Sequence, residues 1–343
     1  MQVWLVTGVS GSGWKELMEE LKEYATDKGK NVAVYDVGKI IEKKAKENNI
    51  EFVEERILNV DRTILKLLRA LALQEVISKI SQADQEGITF ICIHALFEWK
   101  KDLIPGVSYA DLMQLKIDGI INIVDDVATI FKNLATNERW KDSPPQIVSL
   151  QRWMLEEQLL SEVFASIKAA PMFVHAKNQT KEKLYSFFFE RKKRVYLSFP
   201  ITAIRDQQEL LDRIQNKFKP QIEELFYVFN PLDIMDKTHI AKKEIDEAQI
   251  PGFYSKENED MIDARTISRD YRFISQSDAV VVLYPTDKDS QGVAAEMKYA
   301  HSHQKPVFAW YQGSVSPFLK DIANVYSDWD VLLGALKKFS QES

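Results

Sequence analysis

Cysteine is almost absent from this chain of 343 residues, and the sequence also lacks long apolar runs and any excess of positive charge. The one cysteine, Cys92, excludes an intramolecular disulfide and a metal site built from several cysteines, and it favours a reducing, cytoplasmic setting. No apolar stretch approaches the roughly 20 residues of a spanning helix, so no membrane partner is expected. Lys and Arg total 45 against 51 Asp and Glu, a net charge of −6, which disfavours nucleic acid as a partner.

The rest of the composition is that of an ordinary globular protein. Hydrophobic residues make up 45% of the chain and charged residues 28%, so neither a disordered nor a fibrous protein is indicated. At roughly 150 residues per domain, the length predicts about two domains, each large enough to bury a core.

Apolar runs alternate with helical periodicities along both halves of the chain. In the first half, strands are predicted at residues 3–6, 31–35, 88–93 and 120–124, with helices at 14–24, 61–80, 151–169 and 181–189. The pattern restarts after a basic linker at 191–194, with strands at 195–199, 225–229, 279–284 and 306–310 and helices at 205–218, 265–275 and 291–302. This alternation predicts an α/β fold of two doubly wound parallel-sheet domains, residues 1–190 and 191–343.

Two segments of the second half carry clusters of acidic residues. The segment 244–263 is interpreted as an exposed charged helix; the alternative is a lid in which Phe253 or Tyr254 stacks on a bound base. Asp287 and Asp289 are interpreted as loop surface. No metal or other cofactor is expected.

A glycine-rich loop at residues 8–13 separates the first strand from the first helix. Such a loop presents backbone N–H groups to phosphate. The G-x-x-x-x-G-K-[ST] pattern also needs a lysine and a hydroxyl after the second glycine, where this chain has Trp14 and Lys15. We therefore favour a scaffold that transfers no phosphate, and whether it binds a nucleotide is left open. The alternative is an active phosphotransfer domain in which Lys15 takes the lysine role. The predicted nucleotide contacts are Gly8, Gly11, Gly13 and Lys15.

Residues 1 to about 185 resemble the archaeal-type adenylate kinases, which have a P-loop nucleoside monophosphate kinase fold. The resemblance rests on the segments 8–13, 35–39, 92–96, 103–106 and 120–125. In that family, an acidic residue two positions before a His-Ala pair organises magnesium, and Cys92 stands at that position here. The resemblance thus implies a kinase-like fold without kinase activity, and His94 is interpreted as structural.

Two carboxylates of the second half are predicted to meet in one crevice. Asp270 lies on a predicted helix, and Glu296 lies on the helix that follows the loop 287–292. Ligands of open α/β sheets bind at the carboxyl ends of the strands, where both acids are expected. A carboxylate pair suits glycosidic bond cleavage, with one group attacking the sugar and the other assisting the leaving group.

The segment 194–324 resembles the nucleoside 2-deoxyribosyltransferase superfamily and, within it, the 2'-deoxynucleoside 5'-monophosphate N-glycosidase branch. The resemblance is carried by S-Q-G-V-A-A-E at residues 290–296, by Asp270 and by Tyr196. It implies that Glu296 is the nucleophile, that Asp270 assists the leaving base and that Tyr196 orients the nucleophile.

The same resemblance implies a set of substrate contacts. Ser290 stands where transferases of free nucleosides carry an acid, which a phosphate dianion would repel. Ser290 and Gly292 are therefore expected to contact a 5'-phosphate substrate, with Arg205 as a further phosphate contact. Ser316 resembles a serine that reaches into the site of a neighbouring subunit, which implies a homodimer or a higher homo-oligomer.

These expectations lead to an N-glycosidase that acts on 2'-deoxynucleoside 5'-monophosphates through a covalent glutamyl intermediate. One alternative is a deoxyribosyltransferase that exchanges bases. The other is a non-catalytic sensor in which the first domain binds a regulatory nucleotide. The expected partner in the first two cases is a small deoxynucleotide or deoxynucleoside.

Overall fold

The computed structural model describes residues 1–52, 56–83, 86–99, 102–141, 144–204, 207–234, 250–286, 288–313 and 315–342. The chain divides into two compact units, Met1–Glu182 with Lys243–Ile262 (unit 1) and Lys183–Lys242 with Asp263–Ser343 (unit 2). Each unit is built on a parallel sheet flanked by helices, which confirms the predicted doubly wound α/β class. The domain limits 1–190 and 191–343 treat each domain as one continuous stretch, and they stay a prediction.

The sheet of unit 1 has five parallel strands in the order β2-β3-β1-β6-β7. Strand β1 is central because it pairs with β3 on one side and with β6 on the other. An antiparallel hairpin of β4 and β5 follows β3. The strands of unit 1 are β1 Gln2–Thr7, β2 Val32–Asp36, β3 Ile88–Cys92, β4 Leu96–Trp99, β5 Asp102–Pro105, β6 Gly119–Val124 and β7 Met172–Ala176.

The helices of unit 1 cover this sheet with their apolar faces. The first helix shows why: Leu17, Leu21 and Ala25 follow one another at helical spacing and are all buried. The helices are α1 Trp14–Asp27, α2 Val37–Glu47, α3 Arg62–Gln82, α4 Tyr109–Gln114, α5 Val127–Thr136, α6 Ile147–Lys168 and α7 Lys181–Tyr185, with a 3-10 turn at Ile57–Asn59.

The sheet of unit 2 is also parallel, in the order β12-β11-β10-β8-β9. Strand β10 has the sequence AVVVLY and is buried throughout, as is typical of a central strand covered on both faces. The strands are β8 Arg194–Ser198, β9 Tyr227–Phe229, β10 Ala279–Tyr284, β11 Val307–Tyr311 and β12 Asn324–Tyr326.

The helices around the second sheet include the two that carry the predicted acids. They are α8 Ile201–Ile204, α9 Gln208–Arg213, α10 Lys219–Leu225, α11 Lys256–Ser275, α12 Gln291–Ser302, α13 Pro317–Ile322 and α14 Trp329–Gln341, with π-helical turns at Ser186–Glu190 and Ile214–Phe218 and a 3-10 turn at Pro231–Asp233. Helix α11 is divided between the units after Ile262.

The described part of the acidic segment, from residue 250, is amphipathic. Its charged residues Lys256 and Glu257 are exposed, as the sequence predicts. Phe253, however, is 1% exposed and lies in a hydrophobic cluster with α5 and α6, so the alternative of Phe253 stacking on a base as a lid is wrong. The Asn258 side chain fixes this segment, since it donates to the Phe253 carbonyl and accepts from Gln151 on α6. Residues 244–249 of the predicted helix lie outside the described residues.

Candidate functional site

Both oxygens of the Glu296 carboxylate accept hydrogen bonds from hydroxyl groups of strand β8. The Tyr196 hydroxyl donates to Oε1 at 2.9 Å, and the Ser198 hydroxyl donates to Oε2 at 2.5 Å. Both donors are fully buried, and they lie two residues apart, so their side chains point to the same face of the strand. The carboxylate is therefore held in one orientation by two charge-assisted bonds.

The chain topology places Glu296 at the carboxyl edge of the sheet. Strand β8 connects to β9 on one side, whereas its other neighbour is β10, which leads into α12. The direction of winding thus reverses between β8 and β10, and ligands of open α/β sheets bind outside such a reversal. Ser198 ends β8 and Glu296 lies in the second turn of α12, so both lie at this edge of the sheet.

Asp270 lies near the same hydroxyl and is buried with a cationic partner. Arg269 donates from Nε and Nη2 to Asp270 Oδ1, at 3.1 and 3.0 Å, and from Nη1 to the Ile234 carbonyl. Burial, together with the negative charges of Asp270 and Glu296, raises the pKa of Tyr196 well above its usual value of 10.0. Tyr196 is therefore a neutral hydrogen-bond donor at any physiological pH.

A cavity of about 490 Å³ opens over these carboxylates. Its lining includes both acids, Asp270 and Glu296, together with Phe199, Ile201, Lys288 and Ser290. Such a volume suits a ligand of the size of a nucleotide. Gly292 also lines the cavity, and a side chain added there would meet open space, so this glycine leaves room above the helix.

The loop before α12 supplies polar groups to the cavity. Ser290 is the N-cap of α12 and accepts from the Val293 N–H at 3.4 Å. The Lys288 carbonyl accepts from the Tyr284 hydroxyl at 2.9 Å, and the Lys288 N–H donates to Thr286, so the backbone of this loop is anchored. Lys288 is a cation of the site that the sequence argument did not single out.

One predicted substrate contact among the described residues, Ser316, does not line this cavity. Ser316 is the N-cap of α13 and accepts from the Phe318 N–H, and it is not among the described residues that line the cavity. Arg205 and Asp287 lie outside the described residues. The roles of Ser316, Arg205 and Asp287 therefore stay predictions.

The glycine loop of unit 1 connects β1 to α1 as predicted, and neighbouring atoms pack closely against it. A Cβ on Gly8 would lie 2.9 Å from the Ile123 carbonyl oxygen and 3.0 Å from the Trp14 ring. Gly11 has a φ of 84° and would clash with the carbonyl oxygen of Ile130. Packing and backbone conformation therefore account for these glycines without a bound phosphate.

Lys15 and the Gly8 N–H group of this loop have partners within unit 1. Lys15 forms an ion pair with Asp36 at 2.8 Å. The Gly8 N–H donates to the buried Glu157 carboxyl at 3.1 Å, and Glu157 also accepts from the N–H groups of Ala95 and Leu96. Gly13 is the left-handed N-cap of α1. The loop is thus joined to the chain after β3 through one buried side chain.

A second cavity, of about 480 Å³, lies beside this loop. Its wall includes the aromatic residues Trp14, Phe97, Trp99 and Trp140 and the cationic residues Lys15, Lys39, Arg56, Arg69 and Arg139. His94 also lines it, and burial lowers the pKa of this imidazole well below 6.5, so the ring is neutral. The His94 Nδ1 atom is buried and has no hydrogen-bond partner among the described residues.

The described part of the chain contains neither a cluster of metal ligands nor a membrane-spanning helix. No group of three or more His, Cys, Asp or Glu side chains there is arranged to hold a metal ion. No described helix is both long enough and apolar enough to cross a bilayer.

Besides Lys288, sequence reasoning missed Ser198, Arg269 and Glu157. Ser198 could have been found from the sequence: it lies two positions after Tyr196 on the same predicted strand, so the two side chains share one face. Arg269 directly precedes Asp270, yet neighbours in a helix do not generally face each other. Glu157 has no signal in the sequence, because its partners lie far from it in the chain.

The comparisons with known proteins bear on unit 2. A comparison with curated protein sequences found no match. Residues 195–317 match the family model described as nucleoside 2-deoxyribosyltransferase, which supports a nucleoside deoxyribosyl transfer or a glycosidase-type activity for this part of the chain.

Proposed function

We propose that the protein is an N-glycosidase that cleaves the bond between base and sugar in 2'-deoxynucleoside 5'-monophosphates. The observation that carries this proposal is the Glu296 carboxylate, held by two buried hydroxyls in a cavity that Asp270 also lines. A nucleophilic carboxylate must be ionised and oriented, and this pair of donors favours both conditions.

The reaction proceeds in two displacements at the anomeric carbon. A Glu296 oxygen forms a bond to this carbon while the bond to the base nitrogen breaks and its electron pair leaves with the base. Asp270 lies beside the departing base and assists its release by hydrogen bonding or proton transfer. Water then attacks the same carbon and gives a proton to Asp270, or to the released base if Asp270 kept its own charge in the first step. The bond to Glu296 breaks, and deoxyribose 5-phosphate leaves as the carboxylate is restored.

The choice of a monophosphate rests on the loop before α12. Ser290 and Lys288 line the cavity and offer a hydroxyl and a cation to a phosphate group. Asp289 also lines the cavity and opposes this attraction, so the neutral Ser290 at the helix N-terminus is the more important group. In this proposal the protein acts as a homo-oligomer, with Ser316 of the partner subunit as a further contact.

Base release from a panel of deoxynucleoside 5'-monophosphates and the matching nucleosides tests this function. Chromatography follows each reaction with and without a second free base, for wild type and for Glu296→Gln. Glu224→Gln, an exposed carboxylate of α10, is the control. We expect the wild type and Glu224→Gln to release the base from monophosphates and Glu296→Gln to release none. Base exchange would make the protein a transferase, and no turnover of any substrate would overturn the enzymatic proposal.

The cavity of unit 1 favours a second role, the binding of a regulatory nucleotide. Aromatic side chains suit stacking on a flat base, and cations suit a phosphate. Isothermal titration of the full chain with AMP and ATP tests this role. Binding that Arg69→Met weakens while base release persists would support it, and no heat of binding from either nucleotide would contradict it.

A further inference from the structure

The second hydroxyl on Glu296, that of Ser198, belongs to no part of the sequence argument. It lies at the end of β8, is fully buried, and donates to Glu296 Oε2 at 2.5 Å. On the basis of the proposed role of Glu296, we propose that Ser198 is a positioning residue, which keeps this carboxylate ionised and fixes the plane in which it attacks.

The backbone around Ser198 is rigid. It pairs with Val282 of β10, and Tyr196 pairs with Val280 of β10 and with Phe229 of β9. This pairing, on both sides at Tyr196 and on one side at Ser198, limits how far the two side chains can turn away. The two hydroxyls therefore act as a fixed pair of donors spaced to match the two oxygens of one carboxylate.

Asp270, Lys288 and Asp289 line the cavity with Glu296, and Arg269 pairs with Asp270. Asp270 and Arg269 lie on α11, and Lys288 and Asp289 lie on the loop before α12. Arg269 already forms two bonds to Asp270, so its charge is largely directed to that carboxylate. The two hydrogen bonds from β8 stabilise the ionised form of Glu296 directly.

During the reaction the two donors act on different oxygens of Glu296. When one Glu296 oxygen bonds to the anomeric carbon, it loses the charge that attracts its donor. The other oxygen becomes the ester carbonyl and keeps its own hydroxyl donor. Because each oxygen has a separate donor, the ester stays in place for attack by water, whichever oxygen formed it.

A structural serine in this unit makes a different contact. Ser277 is also buried, and its hydroxyl donates to the Phe273 backbone carbonyl within the helix end, as serines that only satisfy the fold commonly do. Ser198 instead donates to an ionisable group that lines a cavity. Ser277→Ala is thus a matched control for the loss of a buried hydroxyl.

The test compares the pH profiles of Ser198→Ala and Ser277→Ala. Loss of a hydrogen bond to a charged group is expected to lower kcat/KM by about tenfold to a hundredfold in Ser198→Ala. The acid limb of the profile should also move to higher pH, because the ionised form of Glu296 loses a donor. Ser198→Cys has a side chain of similar size that is only a weak hydrogen-bond donor, so it should shift the acid limb in the same direction. It replaces Ser198→Ala in the test if Ser198→Ala does not fold.

An infrared titration makes the test independent of turnover. The carboxyl band of Glu296 is identified by its loss in Glu296→Gln, and the pH at which it ionises is compared in wild type and in the serine variants. A transition that moves to higher pH in the Ser198 variants but not in Ser277→Ala supports the positioning role. An unchanged transition, or a loss of rate equal to that of Ser277→Ala, overturns it. If wild type releases no base at all, the proposed function fails, and the infrared result still decides the role of Ser198.

Discussion

Glu157 of unit 1 is a buried carboxyl group, and its titration should be visible in the stability of the protein. It is 1% exposed and accepts three backbone N–H bonds, from Gly8, Ala95 and Leu96. Burial raises the pKa of Glu157 from 4.5 to about 8, although the three N–H donors oppose this change. Replacing it by glutamine, Glu157→Gln, removes the titration while keeping a side chain of the same size.

The direction and the size of the effect follow from the raised pKa. Between about pH 4.5 and pH 8 the native state keeps a proton on Glu157 that the unfolded chain releases. Stability therefore falls as pH rises through this window. A difference of about 3.5 pKa units corresponds to at most about 5 kcal/mol, so we expect about 3 to 5 kcal/mol to be lost.

Urea unfolding of the full chain at pH 5 and at pH 9 measures this loss. The change in the free energy of unfolding between the two pH values is compared for wild type and Glu157→Gln, so that other titrating groups cancel. Glu162→Gln, a half-buried position on the same helix, is the control and should behave like wild type. Parallel pH dependences of wild type and Glu157→Gln would refute the argument that this carboxyl is protonated in the folded protein.

Two further predictions concern unit 2. Tyr196→Phe should lower kcat/KM for base release by about tenfold or more, because Glu296 Oε1 loses a charge-assisted donor, and a variant with the wild-type rate would contradict this role. Arg269→Met should lower the free energy of unfolding by about 3 to 5 kcal/mol, because it breaks the buried ion pair between Arg269 and Asp270. The control is Lys298→Met, which also removes one positive charge but at an exposed position, and its free energy of unfolding should stay within about 0.5 kcal/mol of wild type. Equal urea midpoints for the two variants would disprove the role of the Arg269–Asp270 ion pair.

Much of the candidate site was predictable because its residues lie in short, recognisable segments. The strand at 279–284 and the helix at 291–302 follow from an apolar run and from a loop rich in turn residues. Their order places Glu296 at the carboxyl edge of a parallel sheet, which is where ligands bind in such folds. That Tyr196 orients Glu296 was implied by the resemblance alone, because the hydrogen bond between them spans 100 positions in the chain and no local pattern specifies it.

The packing of residues 250–262 shows the limit of sequence reasoning most clearly. The segment has many charges, and the sequence indicated an exposed helix in the second domain. Ile250, Phe253 and Ile262 instead join the hydrophobic cluster of α5 and α6, a contact that no local pattern specifies. An amphipathic pattern predicts that one face of a helix is buried, but it does not predict which element that face packs against.

The sequence by itself determined the α/β class, the position of the main strands and the order of the acids, since periodicity and turn residues act over a few positions. Only the tertiary structure decided which groups satisfy one another. It assigned Ser198 to Glu296, Arg269 to Asp270 and Glu157 to the glycine loop. The physical reason is that a buried polar group must find a partner in space, and for Ser198 and Glu157 that partner lies 98 and 149 positions away.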